Sequence, residues 1–136
     1  MTSYLFDASS IMNLIKKGLI RPLANGVTMD LALYESLNAV WKENRLLKRI
    51  GEDTALEYTN IISEIFKVVE VWSIKGLEEE VLNLAFKENL TVYDASYLYM
   101  AIKGGFTLVT DDQNLKNKAL KHIAVITTES LSSKRA

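Results

Sequence analysis

Short strand-like runs alternating with longer stretches of helical apolar spacing are the feature that most constrains this sequence. The runs are residues 3–6, 27–29, 68–72, 106–109 and 122–126, and they are rich in β-branched and aromatic side chains. Between the first two, residues 10–17 carry Ile11, Leu14 and Ile15 at helical spacing, with Gly18 as the stop. A long helix is predicted from Asp30 to Gly51, with Leu33, Leu37, Val40, Trp41 and Leu47 as its apolar face. Another starts near Thr54, where Thr54-x-x-Glu57 resembles a capping box, and carries Ile61, Ile62, Ile65 and Phe66. Further helices are predicted over residues 77–87, over 92–103 ahead of Gly104 and Gly105, and over 112–120. Strands separated by helices pair in parallel, because parallel neighbours need crossover connections. The predicted fold is therefore α/β, a three-layer α/β/α sandwich around a central, mostly parallel sheet of about five strands.

Composition narrows the chemistry. The chain has 136 residues, 49% of them hydrophobic, which suits one domain with a buried core over residues 1–128 and a short polar C-terminal tail over 129–136. No apolar run approaches the roughly 20 residues that span a bilayer, and the N-terminus lacks the flanks of a signal peptide, so a cytoplasmic protein with no membrane partner is expected. Cysteine is absent and His122 is the only histidine, which removes disulfides, thiolate nucleophiles and His-rich zinc sites. Metal chemistry must then use oxygen ligands, which favours Mg²⁺ or Mn²⁺. The formal net charge of −1 provides no global field for a polyanion, so such a substrate would need local patches.

The chemistry-bearing residues are carboxylates. Asp7 sits where the first strand gives way to a helix, a position that also suits an N-cap. Asp94 follows Thr91 at capping-box spacing, and Asp112 lies beside a second such box, Thr110-x-x-Gln113. Glu35 lies on the long helix with Asn38 one turn further on. In a parallel sheet every strand-to-helix turn lies at the carboxyl edge, where open α/β folds bind ligands. Asp7 and Asp112 converge there if the first and fourth strands are neighbours, and Glu35 and Asp94 can reach the same edge. Crowded carboxylates repel one another, and a shared divalent cation relieves the repulsion. Such a cation activates water and neutralises charge on a phosphodiester.

Four segments, in order, resemble the motifs of a known family, the PIN domains, and especially the toxin-type members of prokaryotic toxin-antitoxin pairs. They are Phe6-Asp7-Ala8-Ser9-Ser10, Tyr34-Glu35-x-x-Asn38, Thr91-Val92-Tyr93-Asp94-Ala95, and Thr110-Asp111-Asp112-x-x-Leu115. The resemblance implies a PIN-like fold and a Mg²⁺- or Mn²⁺-dependent endoribonuclease that leaves 5′-phosphate and 3′-hydroxyl ends. It implies Asp7, Glu35, Asp94 and Asp112 as the catalytic and metal-binding acids, supported by Ser9, Asn38 and Thr110. Asp111 is expected to play a supporting or solvated role. A homodimer silenced by a separate antitoxin protein is implied as well.

Lys42, Arg45, Lys48 and Arg49, and a second group of Lys116, Lys118 and Lys121, are either phosphate contacts or solvated helix faces. Tyr34, Trp41 and Tyr97 are either base-stacking platforms or core and interface residues. Lys16 and Lys17 are expected in solvent, and His122 in a structural role. Two other readings of the chain are a catalytically silent PIN-like scaffold that binds RNA or protein, and a phosphoacceptor receiver-like domain. The receiver reading needs an acceptor aspartate after the central strand, whereas Ser73 follows residues 68–72.

Overall fold

The computed structural model of the chain describes residues 3–134. Five strands form one sheet: β1 (Tyr4–Phe6), β2 (Val27–Met29), β3 (Glu70–Trp72), β4 (Thr107–Val109) and β5 (Val125–Ile126). Their order is β3-β2-β1-β4-β5 and every pairing is parallel. Seven α-helices fill the connections: α1 (Ala8–Lys17), α2 (Leu31–Arg45), α3 (Glu52–Val68), α4 (Glu78–Glu88), α5 (Val92–Gly104), α6 (Gln113–Ala119) and α7 (Thr128–Lys134). Because such crossovers are right-handed, reversing direction after β3 puts the later helices on the opposite face from the earlier ones. The packing agrees: α1, α2 and α3 pack in succession, whereas α4 packs on α5, and α5 lies against β1, β2 and β4.

Burial explains the sheet's centre. Leu5, Phe6, Leu108 and Val109 of the two central strands are fully buried, as continuous apolar strands covered on both faces should be. Helix α5 buries Ala95, Ser96, Tyr97, Leu98, Met100 and Ala101, more than one face, because it lies between α4 and the sheet. Its end and that of α1 are set by Gly105 and Gly18, both left-handed at φ 69°, a conformation that glycine adopts without a Cβ clash.

Several boundaries differ from those predicted. Helix α2 stops at Arg45, short of Gly51, because the chain turns through Lys48 at φ 51°. Its buried positions are the small Ala32 and Ser36 together with Val40, so Leu37, Trp41 and Leu47 of the predicted apolar face are exposed. Helix α3 starts two residues before Thr54, with Gly51 as its N-cap and Glu52 and Asp53 complementing the helix dipole in place of the predicted box. Val68 completes α3, since the next amide, that of Val69, still closes on the Ile65 carbonyl. The last strand is only Val125–Ile126, because the amides of His122 and Ile123 turn back to Ala119. Of residues 129–136, expected as a polar tail, 129–134 belong to α7, which buries Leu131 and packs on α1, and 135 and 136 lie outside the described residues.

Candidate active site

The register of the two central strands builds the site. Phe6 pairs with Val109, and the Asp7 amide continues the ladder to the Val109 carbonyl, so Asp7 and Thr110 leave the sheet side by side. This is the point where strand order reverses, the crevice in which open α/β sheets bind ligands. Four helices begin at this edge, and each brings one acid. Asp7 is the N-cap of α1, Glu35 lies in the second turn of α2, Asp94 in the first turn of α5, and Asp112 is the N-cap of α6. Helix N-termini carry partial positive charge, which makes them favourable places to gather carboxylates.

Asp7 is 4% exposed and fully engaged. Its Oδ1 accepts from Ser9 Oγ at 2.8 Å and from the Ser10 amide at 2.9 Å, while Thr110 Oγ1 donates to Oδ2. Burial pushes its carboxyl up to about 6 despite these bonds. Thr110 Oγ1 also accepts from the Asp112 amide at 3.0 Å, and Ser9 Oγ accepts from the Asp111 amide at 3.1 Å. Ser9 and Thr110 thus tie the end of β1 to the loop after β4. Capping and site geometry coexist here: Asp112 Oδ1 accepts from the Leu115 amide, and Thr91 Oγ1 from the Asp94 amide.

Asp94 feels the other three acids. Its carboxyl is pushed up to about 6, first by partial burial and then by the charges of Asp112, Asp7 and Glu35. Glu35 is half-buried and shifted upward by that burial, while Tyr97 Oη donates to its Oε1 at 2.7 Å. Tyr97 is buried and held well above its ordinary range by burial and by Glu35, so it orients Glu35 and cannot stack on a base. Its place three residues after Asp94, on the same side of α5, is the signal that marks it in the sequence. Asn38 lies exposed one turn beyond Glu35.

Asp111 points elsewhere. It accepts from Asn13 Nδ2 at 2.6 Å, from the Thr128 amide at 2.9 Å and from Thr128 Oγ1 at 2.6 Å, joining α1 and α7 to the β4 loop. Its burial is outweighed by the Asn13 and Thr128 bonds and the Lys17 charge, which hold its carboxyl below the usual range. Basic residues are likewise partly committed to structure. Lys16 pairs with Glu43 at 2.5 Å, Lys118 Nζ donates to the Asn89 carbonyl, and Lys121 and His122 both pair with Glu88. Lys42, Arg45, Lys48 and Arg49 are exposed, with Arg45 about 15 Å along α2 from Glu35.

A hard divalent cation suits this donor set. All four groups are carboxylates, and the mutual repulsion felt at Asp94 is what such an ion offsets. Among the described residues no three acids are drawn together in ligating geometry. Mg²⁺ typically takes only one or two carboxylates and completes its shell with water and phosphate oxygens, which this spread of acids allows. A receiver-like site is not built, since β3 lies at the sheet edge and is followed by Ser73.

Comparisons with known proteins agree with this architecture. Exonuclease VapC9 of Pyrobaculum aerophilum is 36% identical over 126 residues, covering 91% of each chain. Ribonuclease VapC3 of the same organism is 40% identical over 93 residues, covering 67% of this chain and 69% of that protein. The crystal structure of PAE2754, also from P. aerophilum, superposes with a TM-score of 0.79 at 32% identity over 98% of this chain and 96% of that one. The family model described as PIN domain matches residues 3–121, a span that holds all four acids. This chain belongs to the PIN-domain family.

Proposed function

We propose that the protein is a metal-dependent endoribonuclease acting on single-stranded RNA, the toxin of a toxin-antitoxin pair. The observation that carries this reading is the gathering of Asp7, Glu35, Asp94 and Asp112 at the topological switch point, felt as the raised carboxyl of Asp94. The names of the two VapC relatives, one an exonuclease and one a ribonuclease, support a nuclease.

Asp7, Asp94 and Glu35 would hold Mg²⁺ or Mn²⁺, directly or through waters of its shell. Bound there, the ion lowers the pKa of water and neutralises charge on the phosphodiester. Ser9, Ser10 and Thr110 fix Asp7 in one orientation, and Tyr97 fixes Glu35, so little reorganisation is needed when substrate arrives. Asp112, with one oxygen spent on the Leu115 amide, has its other oxygen to orient the attacking water. Attack at phosphorus breaks the bond to the 3′-oxygen and leaves 5′-phosphate and 3′-hydroxyl ends. Exposed Leu37 and Trp41, one turn apart on α2, supply an apolar strip for a homodimer. A separate antitoxin would silence the acidic crevice with a cationic segment, and a cytoplasmic setting fits both partners. Among the described residues no helix is long and apolar enough to cross a membrane.

A circular single-stranded RNA tests the reading. Mg²⁺- or Mn²⁺-dependent linearisation is expected, abolished by EDTA and reduced at least about 100-fold in Asp7→Asn and Asp94→Asn proteins that remain folded. Cutting only from the ends of linear RNA would replace the endonuclease reading with an exonuclease one, and cleavage indifferent to EDTA would overturn the mechanism.

A further inference from the structure

Beside the acids lies a surface cavity of about 450 Å³, lined by Leu31, Tyr34, Glu35 and Asn38 of α2 and by Tyr93 of α5. The four α2 residues form a single helical stripe at i, i+3, i+4 and i+7. Glu35 belongs both to this cavity and to the acidic group, so the two are continuous. Tyr34 and Tyr93 each directly precede a candidate acid in the sequence, and the helical turn that places the carboxylate also places the ring. Both rings are spread on the surface, 77% and 61% exposed, while Ala32 and Ser36 of α2 and Ala95 of α5 face the core.

We propose that this cavity is a nucleobase subsite, in which an unpaired base next to the scissile phosphate is held by Tyr34 and Tyr93 while Asn38 meets its edge. The inference rests on the nuclease reading above and adds to it the position at which the strand is gripped. The cavity's volume lies within the roughly 300–1,000 Å³ of small-ligand sites. Aromatic rings and a side-chain amide lining one cavity match a flat ligand that has a π-face and a hydrogen-bonding edge. A second copy of the chain fits less well, because it would cover the Glu35 carboxylate that the nuclease reading keeps open to ion and substrate. Only a base free of a duplex can enter, so the subsite selects single strands.

The test uses short single-stranded RNAs carrying one abasic site at successive positions around the cut. For the wild-type protein, one position adjacent to the cut is expected to raise KM about 5- to 100-fold. The Tyr34→Ala/Tyr93→Ala protein should show that increase with intact RNA and lose its sensitivity at that position, with the effect falling on KM more than on kcat. Tyr34→Phe/Tyr93→Phe should restore the wild-type profile, because the ring and not the hydroxyl does the holding. An unchanged KM and abasic profile in the alanine protein would overturn the proposal. So would conversion of a wild-type dimer to a monomer by the alanine changes, which would assign the tyrosines to an interface. If no RNA is cut at all, the nuclease reading fails separately, and 2-aminopurine RNA decides the subsite alone. Fluorescence quenching that persists in Asp94→Asn and disappears in the tyrosine variant supports the subsite, whereas absent or unaltered quenching refutes it.

Discussion

Asp7 shows how one side chain serves the fold and the chemistry at once. It caps α1 and joins two strands through Thr110, yet it does so as a buried carboxyl whose folded value is about 6 against an ordinary 3.8. A raised carboxyl means that the folded state binds its proton more tightly than the unfolded state does, so ionisation costs stability. The cost is absent below about pH 4, grows through the interval and is complete above about 6. In metal-free protein, Asp7→Asn is therefore expected to be the more stable form at pH 8 by about 1–3 kcal/mol, since asparagine caps a helix equally well. The difference should vanish near pH 4. Urea denaturation at both pH values in EDTA measures it, and a less stable variant at pH 8 would show that the Ser9 and Thr110 bonds outweigh the burial. At this scale the sequence favoured Asp112 over Asp111 only through its resemblance to the family's Thr-x-Asp pattern, and in the structure Asp112 bears on Asp94 whereas Asp111 does not. The sequence was silent on the Asp111 bonds to Asn13 and Thr128, which join residues far apart in the chain.

Elements were legible where periodicity is strong and poorly bounded where short-range turns decide. The alternation of strands and helices predicted a parallel sheet, and the sheet is parallel throughout. Helix α2 misled because its core-facing positions are small, leaving the larger apolar residues outside. Helix α7 was missed because its sequence is mostly polar, with Leu131 as its one large apolar residue. That leucine is 3% exposed, and α7 also supplies both Thr128 bonds to Asp111 behind the site. Leu131→Ala is expected to cost about 2 kcal/mol, the low end for a buried leucine because a terminal helix relaxes easily. Thermal unfolding checks it, and an unchanged Tm would mean that α7 contributes nothing to the fold. The Glu88 carboxylate, held at about 2 by Lys121 and His122, fastens the end of α4 to the turn after α6 in the same way.

The whole molecule presents an acidic crevice on a chain of net charge −1, so the proposed RNA substrate would have to be attracted by local cations. Lys42 and Arg45 are exposed further along α2 than Glu35, Arg45 lying 3.4 Å from Glu52, and on the proposed reading they would meet phosphates of the strand that leaves the crevice. Replacing both with alanine should reduce the salt dependence of RNA binding, lowering the slope of log K against log salt by about 0.7 for each phosphate no longer neutralised. An unchanged slope would return them to the solvated face that the sequence equally allowed. The proposed chemistry requires a divalent ion at the switch point between β1 and β4, held by Asp7 and Asp94 with Glu35 beside it. Anomalous diffraction from a crystal soaked in Mn²⁺ decides this. A peak is expected about 2 Å from carboxylate oxygens of Asp7 and Asp94. A soaked crystal with no peak at that edge, or with its only peak elsewhere on the molecule, would contradict the shared-ion site.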